Sequence, residues 1–443
     1  MLRLPLAESD ALHGFARDRE LETCAVGLVL PASNAGAGRF VVRQLAEVPD
    51  AAYAERTASA ATLRPEFCIE IANRARAAGA GVLLAHTHPG ESALEGFSPI
   101  DDAGEQALAS YFERRVPNGA HFAAVFTTEG SYARRLGQTE PVPFVGVGRV
   151  LETPAYRGSE PSELYDRQVR AFGAQGQRAM QGLAIAIIGL GGTGSIVAQQ
   201  LAYLGACNFV LVDPDKIEAT NLNRLVGAWP SDVGAFKVDV AARYITAINP
   251  SARCTTIVGD VLDEEVAAKL ANADFIFGCT DSMASRALLN QLAYQFLIPC
   301  IDMGVGIGIL EDKVQYITGR TQMLSPGLPC LVCTDKLDAE QVRRELMTED
   351  QRKRDPYIVG AQVPQPAVIS LNSTMSSAAI TMFLAAVTGV PSDARMVIYD
   401  GIRGTLRPAA MPPRPHCIAC SHEGALARGS TWQLPMRARG DHD

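Results

Sequence analysis

The sequence predicts an α/β protein in which an N-terminal α+β domain precedes a doubly wound, Rossmann-like parallel-sheet domain. From Leu183 onwards, apolar strands alternate with amphipathic helices, which is the pattern of a parallel sheet covered by helices. Before that point, helix and strand patterns are mixed over about 140 residues, a usual size for one domain. The length of 443 residues also favours more than one core.

We divide the chain at changes in these patterns. The predicted segments are an N-terminal domain at 1–137, a proline-rich linker at 138–162, a second domain at 163–428 and a tail at 429–443. In the first domain, we expect helices over 63–78 and 101–114, and strands over 19–30, 81–89, 121–128 and 131–136. In the second domain, strand and helix patterns alternate from 183 to 281.

Composition limits the possible functions. Apolar residues make up 47% and charged residues 20% of the chain, which indicates a globular protein. The formal net charge of -8 argues against nucleic-acid binding, which needs clustered lysine and arginine. The N-terminus lacks a secretory pattern, and the apolar run Ala378–Val390 is shorter than the roughly 20 residues that cross a bilayer. We therefore expect a cytoplasmic protein with no membrane contact, whose ten cysteines are thiols or metal ligands.

A glycine-rich turn marks a phosphate-binding site. Gly189, Gly191, Gly192 and Gly194 follow a predicted strand and open a helix. Glycines at these positions let backbone N–H groups approach phosphate oxygens at the positive end of the helix. The next strand ends at Asp213, where an acid can bond a ribose hydroxyl. These residues alone fit a dinucleotide dehydrogenase as well as an ATP-binding enzyme.

Three further charged residues favour ATP. Arg224 and Lys237 provide two cations, more than a pyrophosphate on a helix terminus requires. Asp281, at the end of a later strand, is placed to hold Mg²⁺. A dehydrogenase needs neither the second cation nor a metal-binding acid. An NAD-dependent oxidoreductase remains the alternative from a different class.

These motifs resemble the ThiF/MoeB superfamily of ubiquitin-activating-type adenylyltransferases over about residues 160–425. The segment Tyr165-Asp-Arg167-Gln168 is similar to the N-terminal arm of that family. The resemblance implies that Arg167 reaches across a homodimer to the ATP of the partner. One departure is Leu225, where the family usually has glutamine.

The resemblance also assigns roles within the nucleotide site. Asp213 would bind the ribose, and Asp281 would handle Mg²⁺. Asn221, Arg224 and Lys237 would bind the phosphates.

Two CxxC pairs predict a structural zinc site. Cys330 and Cys333 form one pair, and Cys417 and Cys420 form the other; four thiolates suffice for tetrahedral zinc. The long gap between the pairs leaves two independent thiol pairs as the alternative, but the ThiF/MoeB resemblance supports zinc. Thioester-forming members of that family carry a nucleophilic cysteine after the first pair. Residues 334–416 contain no cysteine, and the corresponding stretch reads DPYIVGAQVPQPAVISLNSTMSS, so we expect adenylation without an enzyme thioester.

The stretch HTHPGESALEGFSPIDD predicts a second metal site. His86 and His88 lie two residues apart at the end of a strand, so their side chains share a face. With one carboxylate they would form the open three-ligand site of a hydrolytic zinc. The alternatives are a surface loop with incidental histidines and a domain that has lost its metal.

This stretch resembles the JAMM motif of the JAB/MPN isopeptidases, with a loop about one residue longer than usual. The resemblance covers about residues 1–137 and implies a layered, cytidine-deaminase-like α+β fold. It implies Asp101 as the third ligand, with Asp102 left open, and Ser98 as support for the oxyanion. It further implies Glu22 as the general base, with Glu20 as the fallback.

Together the two resemblances imply a bifunctional enzyme of a prokaryotic ubiquitin-like or sulfur-carrier pathway. A zinc-dependent peptidase would cut after the terminal glycine of a small carrier protein, and the second domain would adenylate that C-terminus. The cofactors would be ATP, Mg²⁺ and two Zn²⁺ ions, one catalytic and one structural. The closest alternative is an adenylyltransferase of sulfur transfer for cofactor synthesis, with an inactive JAB domain that only docks the carrier.

Overall fold

The computed structural model describes residues 1–32, 38–92, 96–153, 160–311, 313–347 and 366–437. The chain forms two compact units. Of the described residues, the first comprises 1–153 with the short segments Gln295–Leu297 and His422–Gln433, and the second comprises the others. The C-terminal segment around residues 422–433 therefore belongs to the first unit, whereas the sequence predicted the end of the second domain and a tail there.

The first unit is built on a nine-stranded mixed sheet with the strand order β11-β10-β1-β3-β2-β6-β7-β8-β9. Its strands are β1 (Leu2–Pro5), β2 (Cys24–Pro31), β3 (Phe40–Glu47), β6 (Gly81–Thr87), β7 (Phe122–Phe126), β8 (Ser131–Arg135), β9 (Pro141–Val142), β10 (Phe144–Val147) and β11 (Leu151–Glu152); β4 (Tyr53–Arg56) and β5 (Ala61–Leu63) pair separately. The helices are α1 (Leu6–Asp18), α2 (Pro65–Ala77) and α3 (Pro99–Arg115). The core includes Leu83, Phe122 and Phe126.

The segment predicted as a linker contributes strands to this sheet. Strand β10 pairs in parallel with β1, aligning Leu2 with Phe144, and β11 pairs antiparallel with β10. The prediction of a linker over 138–162 is therefore corrected for β9, β10 and β11. These strands are two to four residues long, too short to show an alternation of apolar and polar residues.

The second unit contains an eight-stranded sheet with the order β14-β13-β12-β15-β16-β17-β18-β19. Its strands are β12 (Ala184–Ile188), β13 (Asn208–Val212), β14 (Arg253–Ile257), β15 (Phe275–Gly278), β16 (Cys300–Leu310), β17 (Lys313–Leu324), β18 (Met396–Asp400) and β19 (Thr405–Pro408). Its helices are α4 (Asp166–Gly182), α5 (Gly192–Leu204), α6 (Lys237–Ile248), α7 (Glu264–Leu270), α8 (Met283–Gln295), α9 (Ala339–Leu346) and α10 (Ile369–Val387). The five strands from β14 to β16 of this order are parallel, as predicted for β12, β13, β14 and β15, and β17 to β19 pair antiparallel.

The parallel half of the sheet determines where a ligand can bind. Strand β12 lies between β13 and β15, so the chain order reverses at β12. The loops that follow β12 and β15 diverge to opposite sides at such a position and leave a crevice. The glycine-rich turn follows β12, and Cys279-Thr280-Asp281 follows β15, so both predicted motifs lie at this crevice.

Helix α10 is longer than the apolar run seen in the sequence. It spans 19 residues and is long and apolar enough, by length and composition alone, to cross a membrane. Half of its most apolar window is buried inside the protein, where the helix packs against α5, β16 and β17. Polar residues of its first turns make internal contacts; for example, Ser376 donates to the carbonyl of Thr193. These contacts are those of a core helix.

Candidate functional site

Three side chains of the first unit converge at the end of β6. His86 is the second-last residue of β6, His88 follows the strand, and Asp101 lies in the first turn of α3. Nε2 of His86 is 3.3 Å from Nε2 of His88 and 3.2 Å from Oδ1 of Asp101. Nε2 of His88 is 3.6 Å from Oδ2 of Asp101. The structure thus brings together the three residues predicted as metal ligands.

The start of α3 explains which aspartate faces the histidines. Ser98 is the N-cap: its Oγ accepts from the backbone N–H of Asp101 at 3.2 Å, and its own N–H donates to Oδ2 of Asp101 at 2.8 Å. This reciprocal capping fixes the Asp101 carboxylate beside the histidines. Asp102 instead pairs with Arg134 at 2.7 Å. The Ser98 hydroxyl accepts one hydrogen bond and can still donate its own hydrogen.

Glu22 lies on the same face as the histidines. Strand β2 aligns Cys24 with His86, and the N–H of Thr87 donates to the carbonyl of Thr23. Continuing this register places Glu22 opposite His88. Glu22 is only 4% exposed, and burial raises the pKa of its carboxyl, although His86 and His88 oppose the rise. Glu20, the fallback residue, is exposed.

The donor set fits a zinc ion. With bonds of about 2.0–2.2 Å, a tetrahedral ion separates its nitrogen and oxygen ligands by roughly 3.3–3.5 Å. The observed separations of 3.2, 3.3 and 3.6 Å match this spacing. Burial would raise the pKa of the Asp101 carboxyl, but hydrogen bonds from His86 and His88 outweigh it and hold that pKa well below its usual range. The carboxylate is thus in the form that binds a cation.

In the second unit, the glycine-rich turn depends on close backbone packing. Gly189 has a φ of +87°, and a β-carbon there would lie 2.7 Å from the carbonyl oxygen of Cys279. A β-carbon at Gly194 would lie 1.9 Å from the carbonyl oxygen of Gly189, and one at Gly192 would lie 2.2 Å from Nδ2 of Asn372. Gly191 borders open space. Backbone packing therefore requires glycine at 189 and 194, Gly192 contacts the side chain of Asn372, and Gly191 leaves room for a ligand.

Asp213 lies beneath this turn. Its Oδ2 accepts from the N–H of Leu190 at 2.6 Å, and its Oδ1 accepts from the N–H of Asp215 at 2.8 Å. Burial raises the pKa of the Asp213 carboxyl, an effect that Lys237 opposes. Nζ of Lys237 is 3.8 Å from Asp213 and 2.7 Å from Oδ2 of Asp215. The predicted ribose acid and phosphate lysine are therefore neighbours.

The phosphate-side residues Asn221 and Arg224 lie on a short turn after β13. Oδ1 of Asn221 accepts from the N–H of Glu218 at 3.3 Å, and Nη1 of Arg224 donates to the carbonyl of Thr220 at 2.6 Å. The Cδ atom of Arg224 is 3.5 Å from the position of a β-carbon on Gly192, so the side chain passes beside the glycine turn. Leu225 is buried in a small apolar cluster with Ile217 and Val240, so it does not replace the family's glutamine as a polar contact.

Asp281 and Arg167 are less tightly placed. Asp281 is exposed after β15. Its neighbour Ser282 donates to Oε2 of Glu345 at 2.7 Å, a carboxylate that also accepts from the N–H of Ala284 at the start of α8. Arg167 is exposed near the start of α4. Among the described residues of one chain, no hydrogen bond or ion pair joins Arg167 to the glycine-rich turn.

Sequence reasoning missed two residues at this site. Asp215 is the closest carboxylate to Lys237, and the Asp213-Pro-Asp215 spacing could have indicated it. Asn372 covers Gly192 from α10, far along the chain, and no local pattern predicts that contact.

The four CxxC cysteines meet at one point. Sγ of Cys330 lies 3.7 Å from that of Cys333 and 3.4 Å from that of Cys417, and Sγ of Cys333 lies 3.5 Å from that of Cys420. A tetrahedral zinc with Zn–S bonds of about 2.3 Å separates its sulfurs by about 3.8 Å. All four thiols are buried and none forms a disulfide. The backbone N–H of Arg414 donates to the sulfur of Cys333 at 3.2 Å, which favours a thiolate. The set fits a structural zinc.

The parallel sheet, the glycine turn and the charged residues around it define an α/β protein of the nucleotide-binding class. The ThiF family model matches residues 165–419, more than half of the chain. The chain belongs to the ThiF family. This finding confirms the ThiF/MoeB resemblance, whereas the resemblance of the first unit to JAB/MPN isopeptidases stays a prediction.

Individual relatives agree with this assignment. The chain is 30% identical to the molybdopterin-synthase adenylyltransferase of Escherichia coli (strain K12) over 258 residues, which covers 58% of this chain and 95% of that protein. It is 27% identical to ubiquitin-like modifier-activating enzyme 5 of Culex quinquefasciatus over 174 residues, 37% of this chain and 44% of that protein. Among solved structures, Escherichia coli MccB with ATP has a TM-score of 0.47 and 19% identity, covering 60% of this chain and 76% of that one. The sequence relatives support an adenylyltransferase activity.

Proposed function

We propose that the second unit uses ATP and Mg²⁺ to adenylate the C-terminal carboxylate of a small ubiquitin-like or sulfur-carrier protein that ends in glycine. The main support is the position of Lys237, whose side chain is 11% exposed and lies 3.8 Å from the buried Asp213 at the glycine turn. The names of the relatives support the same reaction class. A molybdopterin-synthase adenylyltransferase and a ubiquitin-like modifier-activating enzyme both belong among them.

The reaction needs positioning and charge neutralisation more than acid–base chemistry. An oxygen of the carrier carboxylate attacks the α-phosphorus of ATP, an acyl–phosphate bond forms, and the bond to pyrophosphate breaks. Negative charge develops on the phosphate oxygens, where Arg224 and Lys237 can stabilise it. Asp281 is the residue that would hold Mg²⁺, and bound Mg²⁺ would supply further charge neutralisation.

An enzyme thioester is not part of the proposed reaction. Burial raises the pKa of the Cys279 thiol to about 12, so this cysteine is not a thiolate nucleophile at neutral pH. The sequence contains no cysteine between residues 334 and 416, although residues 355–365 of the stretch discussed above lie outside the described residues. The acyl-adenylate would pass directly to an external sulfur donor or another nucleophile.

Pyrophosphate exchange tests the adenylation. Radiolabelled pyrophosphate should enter ATP only when a carrier with a free terminal glycine is present. Arg224→Ala and Asp281→Ala should abolish exchange, and the exposed Arg253→Ala on β14 should not change it. Tight NAD binding, together with no exchange for any carrier tested, would restore the oxidoreductase alternative and refute the proposal.

We further propose a homodimer in which Arg167 completes the ATP site of the partner, as the family resemblance implies. Subunits carrying Arg167→Ala and subunits carrying Asp281→Ala should each be inactive alone. Mixed dimers should regain part of the activity, because one of their two sites would contain both residues. Verified mixed dimers without activity would contradict the shared site.

For the first unit, we propose a zinc-dependent peptidase that cuts after the terminal glycine of the same carrier. The supporting observation is the triangle of His86, His88 and Asp101, with separations of 3.2 to 3.6 Å. Zinc held by these three residues would supply Lewis-acid chemistry. Glu22 would take a proton from the attacking water and deliver it to the leaving amine. The Ser98 hydroxyl would donate to the developing oxyanion.

Metal content and a matched pair of variants test the peptidase. Two zinc ions per chain are expected; one would indicate the cysteine site alone and a first unit that only docks the carrier. Glu22→Gln should keep both metals and lose cleavage of a carrier extended beyond its glycine, whereas His88→Ala should lose one metal and cleavage. Pyrophosphate exchange on a trimmed carrier should be unchanged in both. Cleavage by Glu22→Gln at the wild-type rate would exclude Glu22 as the base.

A further inference from the structure

Glu91 lies beside the candidate metal cluster and has no role in the proposed reaction. His88 turns its Nε2 toward His86 and Asp101, and its other ring nitrogen, Nδ1, lies 3.2 Å from Oε2 of Glu91. Glu91 therefore contacts the Nδ1 edge of the His88 ring, which points away from the cluster. The Glu91 side chain is 60% exposed, so an incidental surface ion pair must be weighed against a function.

The backbone around Glu91 is held in place. The N–H of His88 donates to the carbonyl of Phe126 at 2.9 Å, and the N–H of Thr128 donates to the carbonyl of Glu91 at 2.8 Å. The Thr127 hydroxyl also bonds to the carbonyl of Ser92, at 3.2 Å. These bonds fasten the segment after β6 to the turn between β7 and β8. An incidental ion pair on a loose loop would not have this support.

The chemistry of histidine gives the contact a consequence. A neutral histidine that binds a metal through Nε2 must carry its proton on Nδ1. A carboxylate that accepts this N–H selects that tautomer, fixes the ring orientation and makes the ligand nitrogen more basic. We propose that Glu91 is a positioning residue that holds His88 ready to bind the metal through Nε2. This inference rests on the proposed zinc site of the first unit.

The test measures the metal affinity of the site and does not depend on turnover. In the full-length protein with the cysteine site filled, the second zinc ion is titrated in competition with a chromophoric chelator, and His88→Ala identifies the site. Glu91→Ala should weaken this zinc affinity about 10- to 100-fold. Glu91→Gln should lie between Glu91→Ala and the wild type, because its amide oxygen still accepts the Nδ1 proton. Glu129→Ala, a matched exposed glutamate in the β7–β8 turn, should match the wild type.

A spectroscopic measurement separates positioning from simple attraction of the cation. Cobalt substituted at the second site should show shifted d–d absorption bands in Glu91→Ala, because the His88 ring is no longer fixed, and unshifted bands in Glu129→Ala. Zinc affinity and cobalt spectra of Glu91→Ala that equal those of the wild type would overturn the inference and leave the zinc site itself intact. A wild-type protein with no second metal would overturn the proposed peptidase and this inference together.

Discussion

Nε of Arg134 donates to Oε2 of Glu105 across 3.1 Å, and both side chains are less than a tenth exposed. Arg134 lies on β8 and Glu105 on α3, so this buried ion pair fastens the helix that presents Asp101 to the sheet. The guanidinium of Arg134 also lies over the ring of Phe97, 3.7 Å from its centroid, and Phe97 in turn lies beside His86. The pair therefore supports the wall of the candidate metal site.

Removing the arginine should destabilise the first unit strongly. Arg134→Met would leave the Glu105 charge buried without its partner, and we expect a loss of about 3–5 kcal/mol in the free energy of unfolding. The Asp102 side chain is 56% exposed, so Asp102→Asn should lower the free energy of unfolding by less than about 1 kcal/mol. Both losses are measured by urea unfolding followed by tryptophan fluorescence. In a Trp229→Phe background, Trp432 is the remaining tryptophan and reports on the first unit. Equal, small losses for both variants would show that the pair contributes little.

The stability of the first unit should fall as pH rises toward neutrality because of Glu8. Burial raises the pKa of this carboxyl from 4.5 to about 7. The folded state then keeps a proton that the unfolded state releases, so stability is highest below pH 4.5 and is lost between about pH 4.5 and 7. The loss should reach about 3 kcal/mol. His422, 3.9 Å away, offsets little of it, because burial and then Arg43 lower the pKa of its imidazole.

Two substitutions on α1 check this pH dependence. Glu8→Gln should flatten the decline and raise stability at pH 8, as followed by Trp432 fluorescence in urea. Asp10→Asn, an exposed acid on the same helix, should leave the decline unchanged. A decline that persists in Glu8→Gln would assign it to other groups.

Replacing one glycine of the phosphate turn should affect stability, and replacing another should affect ATP binding. Gly194→Ala would place a methyl group 1.9 Å from a backbone oxygen, and we expect a loss of 3 kcal/mol or more, above the roughly 1–3 kcal/mol typical of overpacking. Gly191→Ala would enter open space and should preserve the melting temperature while raising the KM for ATP. Thermal unfolding followed by Trp229 fluorescence in a Trp432→Phe background measures the effect on stability, and pyrophosphate exchange measures the effect on ATP binding. A normal KM in Gly191→Ala would show that ATP does not approach this residue.

The accuracy of prediction from sequence varies along the chain for physical reasons. Helix α3, over Pro99–Arg115, and the turn at Gly189 follow from local periodicity and backbone needs, so sequence alone predicts them. The choice between Asp101 and Asp102 depends on the cap geometry at Ser98, which only the folded helix start reveals. The strands within 138–162 are too short to show the alternation of apolar and polar residues that indicates a strand.

Long-range contacts are the other limit. Asn372 over Gly192, and the return of residues 422–433 to the first unit, join parts of the chain that no local window contains. The antiparallel strands β17, β18 and β19 lie beyond the alternating strand–helix pattern of residues 183–281, so that pattern does not predict them.

Zinc removal should destabilise the second unit specifically. Cys417→Ser leaves three thiols and one weak ligand, so it should lower bound zinc by one per chain and reduce the melting temperature that Trp229 reports. Cys254→Ser, a partly buried cysteine of β14 outside the cluster, should retain the metal. Full zinc content in Cys417→Ser would contradict a four-thiolate site.

The four-cysteine site also has a consequence for how the protein is made. Its two pairs lie on either side of α10, β18 and β19, so closing it joins distant parts of the chain. During synthesis from the N-terminus, the emerging polypeptide offers only Cys330 and Cys333 of this site until Cys417 and Cys420 have also left the ribosome. Loop-closure entropy then favours metal capture only after the intervening elements have packed. The ion would therefore join elements that have already packed instead of nucleating them, and zinc scarcity in the cell would act on this later step of folding.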